Sequence, residues 1–191
     1  MEENDLSGVV HPFPLALSDA EGDAILSVVT KHTGMGTLAS VPHEDRNLVS
    51  KSHHIRMVRG DEVLPALKGP VAIKIDVEGY ECHALRGLER TLDAHHPMVI
   101  TEVVAAHLTR AGSGVSTLLD LMHSRGYRGL GLGTIRSGFR HRLSLTPLNS
   151  SSLLQMNDVV WITEDSPFHE RVHKAALTGQ FHQLWRHASV P

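Results

Sequence analysis

An α/β fold with a mainly parallel sheet and a closing antiparallel hairpin follows from two crossover patterns in the middle of the chain and two apolar segments near its end. Val71, Ile73, Ile75 and Val77 alternate with Ala72, Lys74, Asp76 and Glu78, which is the period of two of a strand with one buried face. Ala84, Leu85, Leu88 and Leu92 then recur at helical spacing from residue 80 to 92. After Pro97, residues 98–104 form a second apolar strand carrying Glu102. Strand, helix and strand at this length make a βαβ crossover, hence parallel pairing. The second crossover has Ser116 placed to cap a helix bearing Leu118, Leu119, Leu121 and Met122, closed by Gly126 and followed by a strand at 127–132. Residues 139–145 and 158–163 read as the antiparallel pair, joined by a polar loop at 146–157. Helices on both faces of the sheet complete this architecture.

The flanking segments are less regular. Residues 9–17 are apolar but interrupted by Pro12 and Pro14, as an irregular or edge strand would be. A turn at 19–23 leads into a strand at 24–29, making a strand–turn–strand unit. Residues 31–51, with Gly34 and Gly36, read as a loop, 55–58 as a strand and 61–67 as a short helix before Gly69 and Pro70. Ser166 and Pro167 open a last helix that runs to Thr178, before Gly179. The expected organisation is a tail at 1–8, one domain at 9–165, and a C-terminal helix and tail at 166–191.

Composition narrows the function classes. The 191 residues, 41% hydrophobic, suit one domain with a sizeable core built from aliphatic side chains, since aromatics make up 4%. A formal charge of −3 argues against a surface made for broad phosphate contacts, so nucleic acid is not the expected partner. Cys82 is the single cysteine, which excludes an internal disulfide. The acidic start has no apolar signal region, and no run approaches the roughly 20 apolar residues of a membrane span. A cytoplasmic protein without membrane partners is the expectation. The 15 histidines are scattered, and the pairs His53 and His54, and His95 and His96, read as surface residues.

In open α/β sheets ligands bind beyond the carboxyl ends of parallel strands. Asp76 and Glu78 stand at one such end and Glu102 at the next. If these strands are neighbours, three carboxylates converge on one rim, with Lys74 a structural partner for Asp76. Asp76, Glu78 and Glu102 are therefore the candidate catalytic residues.

Ile73-Lys74-Ile75-Asp76-Val77-Glu78-Gly79-Tyr80-Glu81, followed by Ala84-Leu85-Arg86-Gly87-Leu88, resembles the signature segment of the FkbM family of methyltransferases. Pro97 before a strand ending in Glu102 continues the likeness. Ala16-Leu17-Ser18-Asp19 with Gly22 resembles the family's third strand and turn, Gly34-Met35-Gly36-Thr37-Leu38 the loop after it, and Asn157-Asp158-Val159-Val160-Trp161 its closing strand. The resemblance implies a Rossmann-like, class I methyltransferase fold using S-adenosyl-L-methionine, with a hydroxyl of a small molecule or glycan as acceptor. It also implies that Ala16, Leu17, Ser18 and Asp19 lie near the adenine, that Asp76 lies near the methionyl end, and that Glu78 and Glu102 line the acceptor side. Family members begin with a glycine-rich strand turn, and none precedes Val9 in this sequence. A partial fold, weak or absent cofactor binding and self-association over an exposed sheet edge are the corresponding expectations. So is an alternative function as a catalytically inactive binding or scaffold module. Gly129-Leu130-Gly131-Leu132-Gly133 lacks the spacing of a cofactor loop and reads as strand and turn.

His169-Glu170-Arg171-Val172-His173 fits the H-E-x-x-H pattern of zinc peptidases, with both histidines on one helical face. No acidic third ligand follows, and only His182 and His187 remain as further candidates downstream. Exposed helix histidines and no metal are the expectation there.

Overall fold

The structure is a computed structural model and describes residues 6, 8–29, 36–39, 41, 47–137, 140–148 and 158–178. Strands β1 (Leu15–Leu17), β2 (Gly22–Val29), β3 (Gly36–Thr37) and β4 (Val49–Val58) form one sheet in the order β1-β4-β2-β3. β1, a turn and β2 follow one another as expected, but the two strands do not pair. β4 lies between them, parallel to β1 and antiparallel to β2. It starts at Val49, earlier than the strand read at 55–58, because pairing with β2 makes a strand of Ser50, Lys51, Ser52, His53 and His54. All five are exposed and carry no apolar alternation that would reveal them. Most of the loop read at 31–51, with Gly34 and Met35, lies outside the described residues, as does most of the tail at 1–8.

A short helix α1 (Gly60–Val63) leads to the second sheet. Its elements are β5 (Ala72–Ile75), helices α2 (Glu81–Arg86) and α3 (Glu89–His95), β6 (Met98–Glu102), helices α4 (Ala105–Arg110) and α5 (Val115–His123), β7 (Arg128–Ser137), β8 (Arg140–Pro147), β9 (Asp158–Ile162) and helix α6 (His169–Thr178). The strand order is β5-β6-β9-β7-β8. β5 and β6 are parallel, as the first crossover requires.

The mainly parallel sheet is corrected at this point. β9 inserts between β6 and β7 and runs antiparallel to both, so β6 and β7 share a direction without touching. The closing hairpin is β7–β8, not 139–145 with 158–163. Residue patterning gives the reason. Val159, Val160, Trp161 and Ile162 are all buried, so β9 needs cover on both faces and takes a central place. Among the described residues, the parallel pairs are β1–β4 and β5–β6, and the fold is a mixed α/β arrangement of two sheets.

Both faces of the second sheet are covered by helices, as expected. Ile75, Val99, Val159 and Trp161 pack with Leu85, Leu88, Leu92, Leu108, Leu118 and Met122 from α2–α5 and their connections. Met98, Val160 and Ile162 point the other way, against Phe168 and Val172 of the α6 segment. Trp161 Nε1 donates to Thr101 Oγ1 at 2.9 Å, which satisfies both buried polar groups. Ser166 and Pro167 do not open the last helix, which starts at His169; Ser166 Oγ accepts from Phe168 N–H at 3.4 Å in the turn before it. Ser116 does not cap α5: the helix starts one residue before it, and Gly114 is the capping position. Among the described residues, no helix is long and apolar enough to cross a membrane.

The single helix read at 80–92 is two, broken at Gly87. A Cβ on Gly87 would lie 2.1 Å from the Ser18 carbonyl oxygen, so the chain passes the end of β1 too closely for any side chain. The new N-terminus of α3 is capped from α1. Asp61 Oδ2 accepts from Arg90 N–H at 2.8 Å, and Oδ1 accepts from Thr91 N–H at 2.9 Å and Thr91 O–H at 2.7 Å. Burial raises the proton affinity of this carboxyl, but the Thr91 and Arg90 hydrogen bonds outweigh it and hold Asp61 below its ordinary value. Asp61→Ala is therefore expected to lose about 2–3 kcal/mol of stability in urea unfolding at neutral pH. A depressed carboxyl stabilises the fold above its unfolded pKa and loses that contribution as pH falls through the folded value. The gap between Asp61→Ala and the parent should thus shrink below about pH 4.

Candidate active site

The turn after β5 is shaped by contact with α4. Glu78 has φ 53° and Gly79 φ 106°, both in the region that favours glycine. A Cβ on Gly79 would lie 2.2 Å from the His107 carbonyl oxygen. No residue but glycine fits there, and the contact fixes α4 against the turn. Glu81, 1% exposed, holds the turn from beneath: its Oε1 accepts from Val77 N–H at 3.3 Å and Gly79 N–H at 3.2 Å.

The result is a cluster of three side chains from three elements. Glu78 comes from the turn, Glu102 from the end of β6, and His107 from α4. His107 Nδ1 lies 3.0 Å from Glu78 Oε2 and 3.9 Å from Glu102 Oε2. That nitrogen is buried, yet it is aligned for a hydrogen bond to neither carboxylate. Burial raises the proton affinity of Glu102, and the charges of Asp76, Glu78, Glu81 and Asp158 raise it further. The Glu78 and Glu102 side chains are 15% and 25% exposed, so the cluster stays open to solvent at the carboxyl ends of two parallel strands. Such a group can take a proton from a hydroxyl or bind a cation.

Of the residues expected on the acceptor side, the structure brings Glu78 and Glu102 together and adds His107. Sequence reading missed this histidine because it missed α4, whose six residues Ala-Ala-His-Leu-Thr-Arg carry one buried apolar side chain, Leu108. Its proximity to Glu102 in sequence was the available signal. Asp76 stands on the same rim, ion-paired with Lys74 as expected, and both remain about half exposed.

Asp19 is engaged elsewhere. His83 Nδ1 lies 3.1 Å from its carboxylate, Arg86 Nη1 lies 3.8 Å away, and Arg59 Nη1 donates to its carbonyl at 2.6 Å. Burial opposes ionisation of Asp19, but the hydrogen bond and charge of His83 keep its carboxyl below the ordinary value. Ala16 and Ser18 are buried and Leu17 packs on the core. Arg128–Ser137 forms β7, so 129–133 is strand throughout, without the expected turn.

His169 and His173 share one face of α6 with ring centroids 6.1 Å apart, and His169 Nδ1 lies 3.2 Å from the Thr163 carbonyl oxygen. His182 and His187 lie outside the described residues. A cavity of about 520 Å³, lined by His96, His123, Arg125, Tyr127, Arg128 and Thr163 among others, opens at the opposite end of the sheet from the Glu78 cluster. It holds none of the rim carboxylates, so its size does not make it the catalytic site.

Residues 9–128 match the Methyltransferase FkbM domain, and the chain belongs to that family. No curated protein matches it. Among solved structures, it is similar to the methyltransferase FkbM from Methylobacillus flagellatus KT, at 16% identity and a TM-score of 0.43 over 84% of this chain. The chain spans 30% of that structure's length.

The Gly79 contact generates a stability test. Gly79→Ala is expected to cost on the order of 3 kcal/mol, since strain at positive φ adds to a clash with backbone. Gly112 has φ 79° with nothing within 4 Å of its notional Cβ. Gly112→Ala should cost only about 1 kcal/mol, from conformational strain alone. Equal losses for the two variants in denaturant titrations would remove the His107 contact as the determinant.

Proposed function

We propose that the chain transfers a methyl group to a hydroxyl oxygen of a small molecule or glycan, with Glu78, Glu102 and His107 as the acceptor-side machinery. The observation that carries this reading is their convergence at the carboxyl ends of β5 and β6, within a chain of the FkbM methyltransferase family. S-adenosyl-L-methionine, when bound, supplies an electrophilic methyl group. The rim offers one end of it a half-exposed carboxylate, Asp76, which would have to exchange its Lys74 partner for the ammonium of an amino acid. The Ala16–Asp19 segment fits the other end less well, because the Asp19 carboxylate already faces His83 and Arg86. This reading carries with it a Rossmann-like, class I arrangement in which β5 and β6 deliver the rim.

The chain's own residues do the work on the acceptor. A hydroxyl seated between Glu78 and Glu102 donates to one carboxylate, which orients an oxygen lone pair away from the cluster. As the new O–C bond forms, the methyl–sulfur bond would break to leave a neutral thioether, and the hydroxyl proton passes to Glu102, whose proton affinity burial and the neighbouring Asp76 and Glu78 charges raise. The three groups sit on a backbone locked by Gly79 and Glu81, so no rearrangement is needed at the moment of transfer.

Transfer of a radiolabelled methyl group from S-adenosyl-L-methionine to a panel of polyol and glycan acceptors tests the reading. Glu102→Gln is expected to lower kcat about 10²–10⁴-fold with the melting temperature maintained or raised, since it removes a general base and a crowded negative charge. Absence of transfer to any hydroxyl acceptor, with the parent protein folded, would favour the scaffold alternative. Near-normal turnover in Glu102→Gln would remove Glu102 from the mechanism.

A further inference from the structure

We infer that Glu78, Glu102 and His107 form a binding site for one divalent first-row transition-metal ion. The inference rests on the acceptor-side reading of this cluster and adds a ligand to it. One ligand atom from each residue, Nδ1 of His107 and an oxygen from each carboxylate, lies within 4.8 Å of the other two. Ligand atoms bonded to one metal at about 2.0–2.2 Å stand roughly 3–4 Å apart. The 3.0 Å and 3.9 Å separations from Nδ1 to the two carboxylates fall in that range.

Hydrogen bonding does not account for the arrangement. His107 Nδ1 is buried between two carboxylates and aligned with neither, although either alignment would satisfy it. A metal ion between the three groups uses the lone pair of a neutral imidazole and needs no such alignment. A second observation points the same way. Glu81 is 1% exposed, and its Oε2 has no hydrogen-bond partner, while its Oε1 holds the amides on both sides of Glu78. A buried carboxylate beneath two others leaves uncompensated negative charge at the rim, because Lys74 is taken up by Asp76. A dication supplies the missing charge.

The donor set selects the ion. Two carboxylates and one imidazole with open positions suit Mn²⁺, Fe²⁺ or Zn²⁺ better than Mg²⁺ or Ca²⁺, which favour all-oxygen shells. With the ion in place, an acceptor hydroxyl that coordinates an open position loses its proton more readily. The second oxygen of Glu102 remains free to receive that proton.

Mn²⁺ titration of the metal-free 191-residue chain, followed by the loss of the free-ion electron paramagnetic resonance signal, tests the inference. One ion bound per chain is expected, with binding weakened at least tenfold in Glu102→Gln and in His107→Ala and unchanged in the His169→Ala, His173→Ala double variant. Should the site variants fail to fold, paramagnetic broadening in the parent decides: the His107 ring resonances should broaden at substoichiometric Mn²⁺ before those of His169 and His173. Absence of stoichiometric binding, binding that survives both site variants, or broadening centred on α6 would each overturn the site. The titration contains no methyl donor or acceptor. A chain that binds Mn²⁺ but transfers no methyl group therefore sinks the methyltransferase reading alone, and active transfer without metal binding sinks this inference alone.

Discussion

The approach of the Gly79 backbone to the His107 carbonyl governs how this protein presents its chemistry. Two main chains meet there with no room for a Cβ, which sets the turn after β5 directly against the first turn of α4. The turn must then carry Glu78 at positive φ, a conformation that costs an ordinary residue about 1–2 kcal/mol. Glu81 offsets part of that cost by accepting the Val77 and Gly79 amides, at the expense of burying a carboxylate. Strain and buried charge meet in the same few residues, which marks the turn as a candidate site.

The two sheets support this turn from different sides. Thr37 of β3 reaches the Glu78 carbonyl at 3.4 Å, and Arg59, just after β4, donates to the carbonyls of Asp19 and Arg86. Asp61 ties the same region to α3. The second sheet contributes rigidity: β6 is buried against β9, with Trp161 bonded to Thr101 one residue before Glu102. Glu102 is thus held at the end of a central strand, where its position cannot drift relative to β5. A site on two such supports is preorganised in the sense that catalysis and metal binding both require.

Electrostatics sort the acidic residues into distinct roles. Asp19 and Asp61 are each surrounded by donors that favour the ionised form, and both stabilise the fold. Glu102 is surrounded by burial and like charge, which favour the protonated form. A carboxyl kept in an unfavourable setting by packing is a candidate for proton transfer or cation binding, and geometry singles out the same residue.

Local sequence patterning determined which segments are strands and helices wherever one face is buried, because apolar periodicity records burial directly. The β5–α2 segment and the parallel β6 were legible on that basis, the carboxylates at 76, 78 and 102 from their places at strand ends, and the last helix from its flanking residues, although it begins later, at His169. The glycine at 79 was legible as a turn. Its reason, the His107 backbone 28 residues away, was not. Patterning was silent where pairing alone makes the strand, as in the exposed half of β4, and where a helix is too short to show a period, as in α4 with His107. It also could not order the strands. β9 enters between β6 and β7 because an apolar strand needs neighbours and helices on both sides, and that demand is met only when the whole sheet assembles. The carboxylates were therefore fixed by sequence, while the histidine that completes their cluster was placed by tertiary packing, since contact between separate elements leaves no trace in the period of either one.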